Sequence, residues 1–322
     1  MPYKVLIPQD IVAEGKDYLL ARGYEIKMGR GITPEEIAAD VAGCDAILAR
    51  TANFPARVIE AGDRLKVISR HGIGTDNIDV AKATQRGIWV TYAPESNANT
   101  VAEYTIGCLL ALARQFIRAD RETRGGNWEI RNKLPGSDLE GQVLGIVGLG
   151  RIGRRVARKA ALGLDMLVLG YDPFLNPEQF PDQVRPVAKI EELLSTADFV
   201  TIHIPATETS KGSFGRKEFQ LMKKSAYFIN ASRGDIIDEA ALLESLQQGD
   251  IAGAALDVFA KEPADRDNPL FRLDNVLVTP HNAALTRQCM TRMALHAARG
   301  IEEVLSGKRP TWPVNDPQKG GR

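Results

Sequence analysis

The sequence predicts an α/β protein with two parallel sheets. Three observations carry the prediction: short apolar runs alternate with helical patterns throughout, the alternation runs in two series, and a long helical stretch follows each series. Strands joined through helices return in the same direction, so each sheet is expected to be parallel with helices on both faces. A length of 322 residues suits two domains or one large one.

The first series begins with a strand at residues 5–7, then a helix at 10–22 that Gly23 closes. A second strand spans 24–28. Thr33-Pro34-Glu35-Glu36 reads as a helix start, with Thr33 at the N-cap, Pro34 in the first helical position and two acids in the first turn. Strands at 46–48 and 67–69 each follow a helical stretch, and a strand at 89–92 completes the series. Residues 93–100 are polar and loop-like, after which one long helix is expected over 101–124, ended by Gly125-Gly126. The second, larger series starts near 141, with strands at 143–147, 166–171, 199–203, 226–230, 254–256 and 276–278. Another long helix is expected over 283–305, closed by Gly307, and the polar residues 316–322 are expected to fray. Whether that helix returns to the first series is left open by the pattern.

Lys plus Arg number 41 and Asp plus Glu 41, a net charge of zero. A protein that neutralises phosphates shows a basic excess, so no nucleic-acid partner is expected. The chain is 44% hydrophobic and 25% charged, which is globular and excludes the disordered and fibrous classes. No apolar run reaches the ~18 residues that a membrane-spanning helix needs, and no membrane partner is expected. Met1-Pro2-Tyr3-Lys4 leads straight into Val5-Leu6-Ile7, too short an apolar stretch for a secretion signal. Cys44, Cys108 and Cys289 lie far apart and form no CxxC pair, so they are expected in the core, with no disulfide framework and no metal site. The expectation is a cytoplasmic protein.

Gly148-Leu149-Gly150-Arg151-Ile152-Gly153 follows the strand at 143–147 and opens a helical run at 154–162. Gly148 permits the tight turn, Gly150 lets the backbone approach a pyrophosphate, and Gly153 allows close helix–strand packing. The helix start offers free N–H groups to the phosphates. Asp172 follows the next strand, where a carboxylate accepts hydrogen bonds from the adenosine ribose and repels a 2′-phosphate. Pro173-Phe174 supply no arginine for such a phosphate, so NAD is expected rather than NADP. Of Arg151, Arg154, Arg155 and Arg158, only Arg151 lies within the loop; the others read as a solvated face.

Hydride transfer to or from an alcohol carbon needs a proton carrier beside it. The chain has four histidines. His296 lies in the last helix and reads as structural, while His203 and His281 both follow strands, where α/β sheets bind ligands. Position does not choose between these two. Arg233, after the strand at 226–230, can grip a carboxylate with two N–H groups. Glu262 reads as a loop residue by itself, though a carboxylate paired with an imidazole would fix its tautomer.

In these residues the chain resembles the D-isomer-specific 2-hydroxyacid dehydrogenases. The resemblance runs through Ser69-Arg70-His71-Gly72-Ile73-Gly74-Thr75-Asp76-Asn77-Ile78-Asp79, Val101-Ala102-Glu103-Tyr104-Thr105, the glycine loop, Tyr171-Asp172-Pro173, residues 230–235, Asp257-Val258-Phe259, Glu262-Pro263, Thr279-Pro280-His281, and Gly307-Lys308-Arg309-Pro310 on to Val314-Asn315. It implies two Rossmann-like or flavodoxin-like parallel-sheet domains. It implies further that the substrate domain is discontinuous (1–98 and 286–322), that the NAD-binding Rossmann domain spans 99–285, and that the active site lies in an interdomain cleft. It also implies the catalytic trio Arg233, Glu262 and His281: Arg233 holds the substrate carboxylate and carbonyl, His281 carries the proton, and Glu262 orients His281. Gly72, Ile73 and Gly74 correspond to the family's substrate-carboxylate loop. Cofactor contacts carry over to Arg151, Ile152, Asp172, Ile204, Ala231, Arg233, Asp257 and His281, with Gly148, Gly150, Gly153, His203, Pro205 and Ser232 in the same loops. A homodimer built through the cofactor domains is implied too.

The flavour is that of the 3-phosphoglycerate dehydrogenase branch, carried by Arg70 through Asn77 and by Gly170-Tyr171-Asp172-Pro173. Arg50 and Arg70 are candidate phosphate ligands, with a structural role as the alternative. His71 departs from that branch, where a small residue is commoner, and is kept as a substrate-site candidate. The length leaves no room for the regulatory domain that many such enzymes carry, so serine feedback is not expected. Formate dehydrogenases are disfavoured, because they place Gln where Glu262 stands. A hydroxypyruvate, glyoxylate or general 2-keto acid reductase remains open, as does an NAD-sensing corepressor-like binding protein.

Overall fold

A computed structural model describes residues 2–318, so part of the tail expected to fray, 319–322, lies outside the described residues. The chain divides into two compact units, Met1–Asn97 with Leu285–Arg322, and Ala98–Ala284.

The first unit holds five parallel strands, β1 (Lys4–Ile7), β2 (Glu25–Met28), β3 (Ala46–Ala49), β4 (Val67–Arg70) and β5 (Trp89–Thr91), in the order β2-β1-β3-β4-β5. The helices between them are α1 (Ala13–Leu20), α2 (Pro34–Val41), α3 (Ala56–Ala61) and α4 (Val80–Gln85). At the start of α2, Thr33 accepts from the Glu36 N–H while the Glu36 carboxylate accepts from the Thr33 N–H, so each residue satisfies the other's exposed backbone donor. The C-terminal helix Arg287–Leu305 belongs to this unit. It buries a face rich in small residues, Ala294, Ala297, Ala298 and Gly300, and the buried Ser69 hydroxyl of β4 donates to the Ala297 carbonyl at 2.8 Å. After this helix, Pro313 pairs antiparallel with Thr91, and Asn315 Oδ1 accepts from the Val90 N–H at 2.7 Å, covering the free edge of β5. The helix starts at Arg287 rather than at 283, because the Thr286 side chain caps it by accepting from the Cys289 N–H.

The second unit holds seven parallel strands: β6 (Val143–Val147), β7 (Leu167–Tyr171), β8 (Val184–Pro186), β9 (Phe199–Ile202), β10 (Tyr227–Asn230), β11 (Gly253–Leu256) and β12 (Val276–Val278). Their order is β12-β11-β10-β9-β6-β7-β8, so the strand sequence reverses between β6 and β9. That reversal opens a crevice at the carboxyl ends of the two strands. The short edge strand β8 escapes the sequence pattern because only Val184 in it is buried. Its helices are α5 (Ala98–Ala113), α6 (Phe116–Arg124), α7 (Gly153–Gly163), α8 (Ile190–Thr196), α9 (Arg216–Leu221) and α10 (Glu239–Gln248). The single helix expected over 101–124 is in fact α5 and α6. Gln115 breaks it with a left-handed φ of 54°, and its Nε2 donates to the Tyr227 hydroxyl at 2.7 Å and to the Leu112 carbonyl at 3.2 Å.

Candidate active site

The glycine loop is built on contacts no side chain could share. A Cβ on Gly153 would stand 2.1 Å from the Gly148 carbonyl oxygen, so the first turn of α7 rests directly on the loop. Gly148 has φ 91°, and a Cβ there would meet the His203 carbonyl at 2.8 Å. Gly150 is different: a Cβ there would meet nothing within 4 Å. The loop is therefore dense underneath and open at Gly150, which fits a backbone that receives a pyrophosphate. Arg154 braces it, donating from Nε to the Leu149 carbonyl at 2.8 Å. Asp172, at the end of β7, accepts from the Leu149 N–H at 2.9 Å and the Phe174 N–H at 3.1 Å. These contacts hold its carboxyl beside the loop.

His203 follows β9. Its Nε2 lies 3.2 Å from the Thr201 hydroxyl, and its buried Nδ1 has no hydrogen-bond partner among the described residues. Burial pushes its pKa down to about 4, so the ring is neutral near pH 7. Ile204 and Pro205 continue this turn, and the Ser210 hydroxyl donates to the Pro205 carbonyl at 2.6 Å.

The β10 end is strung on the buried Asn230. Its Oδ1 accepts from the Ser232 N–H at 3.0 Å and the Ser232 hydroxyl at 2.8 Å, and its Nδ2 donates to the Arg233 carbonyl at 2.9 Å. Ala231 is buried between them, and Arg233 Nη1 donates to the Ser232 carbonyl at 2.7 Å. A Cβ on Gly234 would fall 1.9 Å from the Phe259 carbonyl carbon, which presses the Arg233 loop against the loop that carries Glu262.

Glu262 Oε1 accepts from the Phe259 N–H at 3.1 Å, and Oε2 lies 2.6 Å from His281 Nδ1. Burial raises the Glu262 carboxyl, but the hydrogen bond and charge of His281, the Phe259 N–H and the charge of Arg233 outweigh it and hold the carboxyl below its ordinary range. The pair remains open to solvent, with 48% of the His281 side chain exposed. His281 has a φ of 50°, a left-handed conformation that costs a residue with a Cβ about 1–2 kcal/mol. Its backbone N–H donates to the Asp257 carbonyl at 2.7 Å. The second unit thus gathers Arg233, Glu262 and His281 at the carboxyl ends of neighbouring strands.

In the first unit, Arg70 folds over the loop that follows it, donating from Nε to the Gly74 carbonyl at 2.7 Å and from Nη1 to the His71 carbonyl at 2.6 Å. Arg50 Nη1 donates to the Asp10 carbonyl at 2.5 Å. His71 is 6% exposed and its Nε2 has no partner among the described residues. Burial, then the charges of Arg50 and Arg70, push its pKa down to about 4. Gly72 is buried, while Ile73 and Gly74 are half-buried. Asn230 and Thr279 lie within motifs read from the sequence, which gave neither of them a role; both shape the loops through side-chain hydrogen bonds at strand ends. Among the described residues no group of three or more His, Cys, Asp or Glu side chains is arranged to hold a metal ion, and no helix is long and apolar enough to cross a membrane.

Residues 106–283 match the profile of the D-isomer specific 2-hydroxyacid dehydrogenase, NAD binding domain. The chain belongs to this family. Among relatives of this dehydrogenase family, the D-3-phosphoglycerate dehydrogenase of Archaeoglobus fulgidus is 41% identical over 315 residues, which is 98% of this chain and 59% of the relative. The chain therefore spans about three fifths of that relative's length. A protein from Thermus thermophilus has a similar structure, with a TM-score of 0.90 and 33% identity, covering 97% of this chain and 100% of that one. A glyoxylate reductase from Paecilomyes thermophila aligns with a TM-score of 0.87 and 27% identity, covering 97% of this chain and 98% of that one.

Proposed function

We propose that the chain is an NAD-dependent oxidoreductase acting on the CH–OH group of a 2-hydroxy acid or, in reverse, on the carbonyl of a 2-keto acid, of the 3-phosphoglycerate dehydrogenase kind. The observation that carries this reading is the 2.6 Å contact between His281 Nδ1 and Glu262, with Arg233 beside it. With Nδ1–H directed at Glu262, His281 keeps the Nε2 lone pair for the hydroxyl proton. Glu262, held ionised, stabilises the imidazolium that forms, and in reduction His281 returns the proton to the carbonyl oxygen. Arg233 grips the carboxylate and fixes which face of C2 is presented. NAD, when bound, supplies the nicotinamide that accepts or donates the hydride. The residues assigned to it are Gly148, Gly150, Arg151, Ile152, Gly153, Asp172, His203, Ile204, Pro205, Ala231, Ser232, Arg233, Asp257 and His281.

Arg50, Arg70, His71, Gly72, Ile73 and Gly74 are the proposed substrate residues. A general 2-keto acid reductase is the second reading, favoured because Arg50 and Arg70 already donate to backbone carbonyls. An NAD-sensing binding protein is the third. We further propose a homodimer: α6 buries none of its residues, and Phe116, Ile117 and Trp128 expose 54%, 53% and 66% of their surface. Cys44, Cys108 and Cys289 are all buried and none is in a disulfide, which suits a reducing cytoplasm.

The test is steady-state NADH consumption with phosphohydroxypyruvate, hydroxypyruvate, glyoxylate and pyruvate. A large kcat/KM preference for the phosphorylated acid supports the first reading. Equal rates on the others support the general reductase, and no turnover with NADH still bound supports the binding protein.

A further inference from the structure

Behind His281 the buried polar groups form one directed chain. Asp257 is buried, and its carboxylate is occupied by the protein's own donors. Oδ1 accepts from the Thr279 hydroxyl at 2.7 Å and the Asn282 N–H at 2.9 Å, and Oδ2 from the Ala283 N–H at 2.9 Å. The Thr279 hydroxyl hydrogen is thereby used, so only its oxygen remains to meet the Tyr104 hydroxyl that lies against it. Tyr104 is the donor of that bond and sits on α5, 175 positions away in sequence. The buried Cys108 thiol lies one turn further along α5, and burial pushes its pKa up to about 11, so it keeps its proton.

The turn these groups hold contains the strained residue of the site. His281 is flanked on one side by Thr279 and on the other by the amides of Asn282 and Ala283, and both flanks converge on one carboxylate. Its own N–H is held by the Asp257 carbonyl. A left-handed backbone with these clamps has one orientation in which the ring meets Glu262. Released from them, the turn is free to relax toward an ordinary φ and carry the ring away.

We propose that Tyr104 and Thr279 are positioning residues, whose hydroxyls, in series on Asp257, lock the turn at 279–283 and hold His281 against Glu262. This inference rests on the reading of His281 as the proton carrier. Thr279→Val removes the hydroxyl at nearly constant shape, Thr279→Ser keeps it, and Tyr104→Phe removes only the outer link. A misplacement of about 1 Å costs ~10²-fold in rate, so Thr279→Val is expected to lower kcat by about 10–100-fold. kcat should fall by a larger factor than KM for the keto acid changes, since the proton step is the one most disturbed. In cofactor-free protein, the ring ¹⁵N shifts of His281 should lose the pattern set by Nδ1–H···Glu262. Thr279→Ser should restore both kcat and shifts, and Tyr104→Phe should show the same changes on a smaller scale.

Wild-type kcat and wild-type His281 shifts in Thr279→Val and Tyr104→Phe would overturn the proposal. So would a loss that Thr279→Ser fails to restore. If the wild type turns over none of the keto acids, the functional reading fails, and the ¹⁵N comparison alone decides whether the chain of hydroxyls positions the ring.

Discussion

His203 and His281 each follow a strand of the same seven-stranded sheet, and their rings meet opposite surroundings. The His203 ring is half-buried beside Thr201, with its Nδ1 buried and partnerless among the described residues and its pKa pushed down to about 4 by desolvation. His281 is half in solvent, turned by a left-handed backbone onto a carboxylate 2.6 Å away. A proton carrier needs both an opening and a partner for its charged form, and only His281 has them. What separates the two is a loop that brings a carboxylate back over the strand end.

The first way to break this comparison is His281→Ala. General acid–base assistance is worth roughly 10²–10⁴-fold, so turnover should fall by about that factor while NADH still binds, read by nicotinamide fluorescence. Unchanged turnover would move the proton step to another group. Glu262→Gln tests the partner alone, and a loss of about 10–100-fold in kcat with little change in KM is expected. Because the Glu262 carboxyl is held below its ordinary range, the wild-type pair should keep its carboxylate charge through mildly acidic pH, and a kcat–pH profile would reveal its loss in the variant.

The desolvated histidines make an acid-stability prediction, sharpest for His71. Its folded pKa of about 4 lies below the ordinary 6.5, so the unfolded chain takes up the proton first. Its contribution to stability is complete above pH 6.5 and is lost as the pH falls from there toward 4. The loss is on the order of 3 kcal/mol. Denaturant unfolding at pH 7 and pH 4.5, followed by tryptophan fluorescence, should show it, and His71→Gln should flatten the slope. The smallest effect expected is on cofactor choice. Asp172→Ser removes one charge-assisted contact, so KM for NADH should rise about tenfold while NADPH use improves.

The parts legible in the sequence are those decided by neighbours in the chain. The glycine loop is readable because Gly148 and Gly153 touch each other within one turn, and the Thr33–Glu36 cap because its partners are three residues apart. Arg233 and His281 stand out as strand-end candidates, but Glu262 and the trio as a set emerge only by resemblance, since Glu262 and His281 meet across 19 positions through a shaped loop. The break at Gln115 depends on Tyr227, and the chain from Tyr104 to Asp257 spans two distant elements, so neither leaves a periodic trace. The choice between His203 and His281 is illegible for the same reason: burial and partner both come from elsewhere in the fold.

The seating of the helix Arg287–Leu305 on the first sheet has a consequence for the order of events at the ribosome. Residues 98–284 form a contiguous unit that can complete itself as soon as they emerge. The five-stranded sheet is synthesised earlier but must wait with a bare face over β4 until Ala297 arrives, and with an open β5 edge until Asn315 does. The half translated first is therefore the half that finishes last. A nascent chain stalled between those two points would display the sheet most prone to pair with a neighbour.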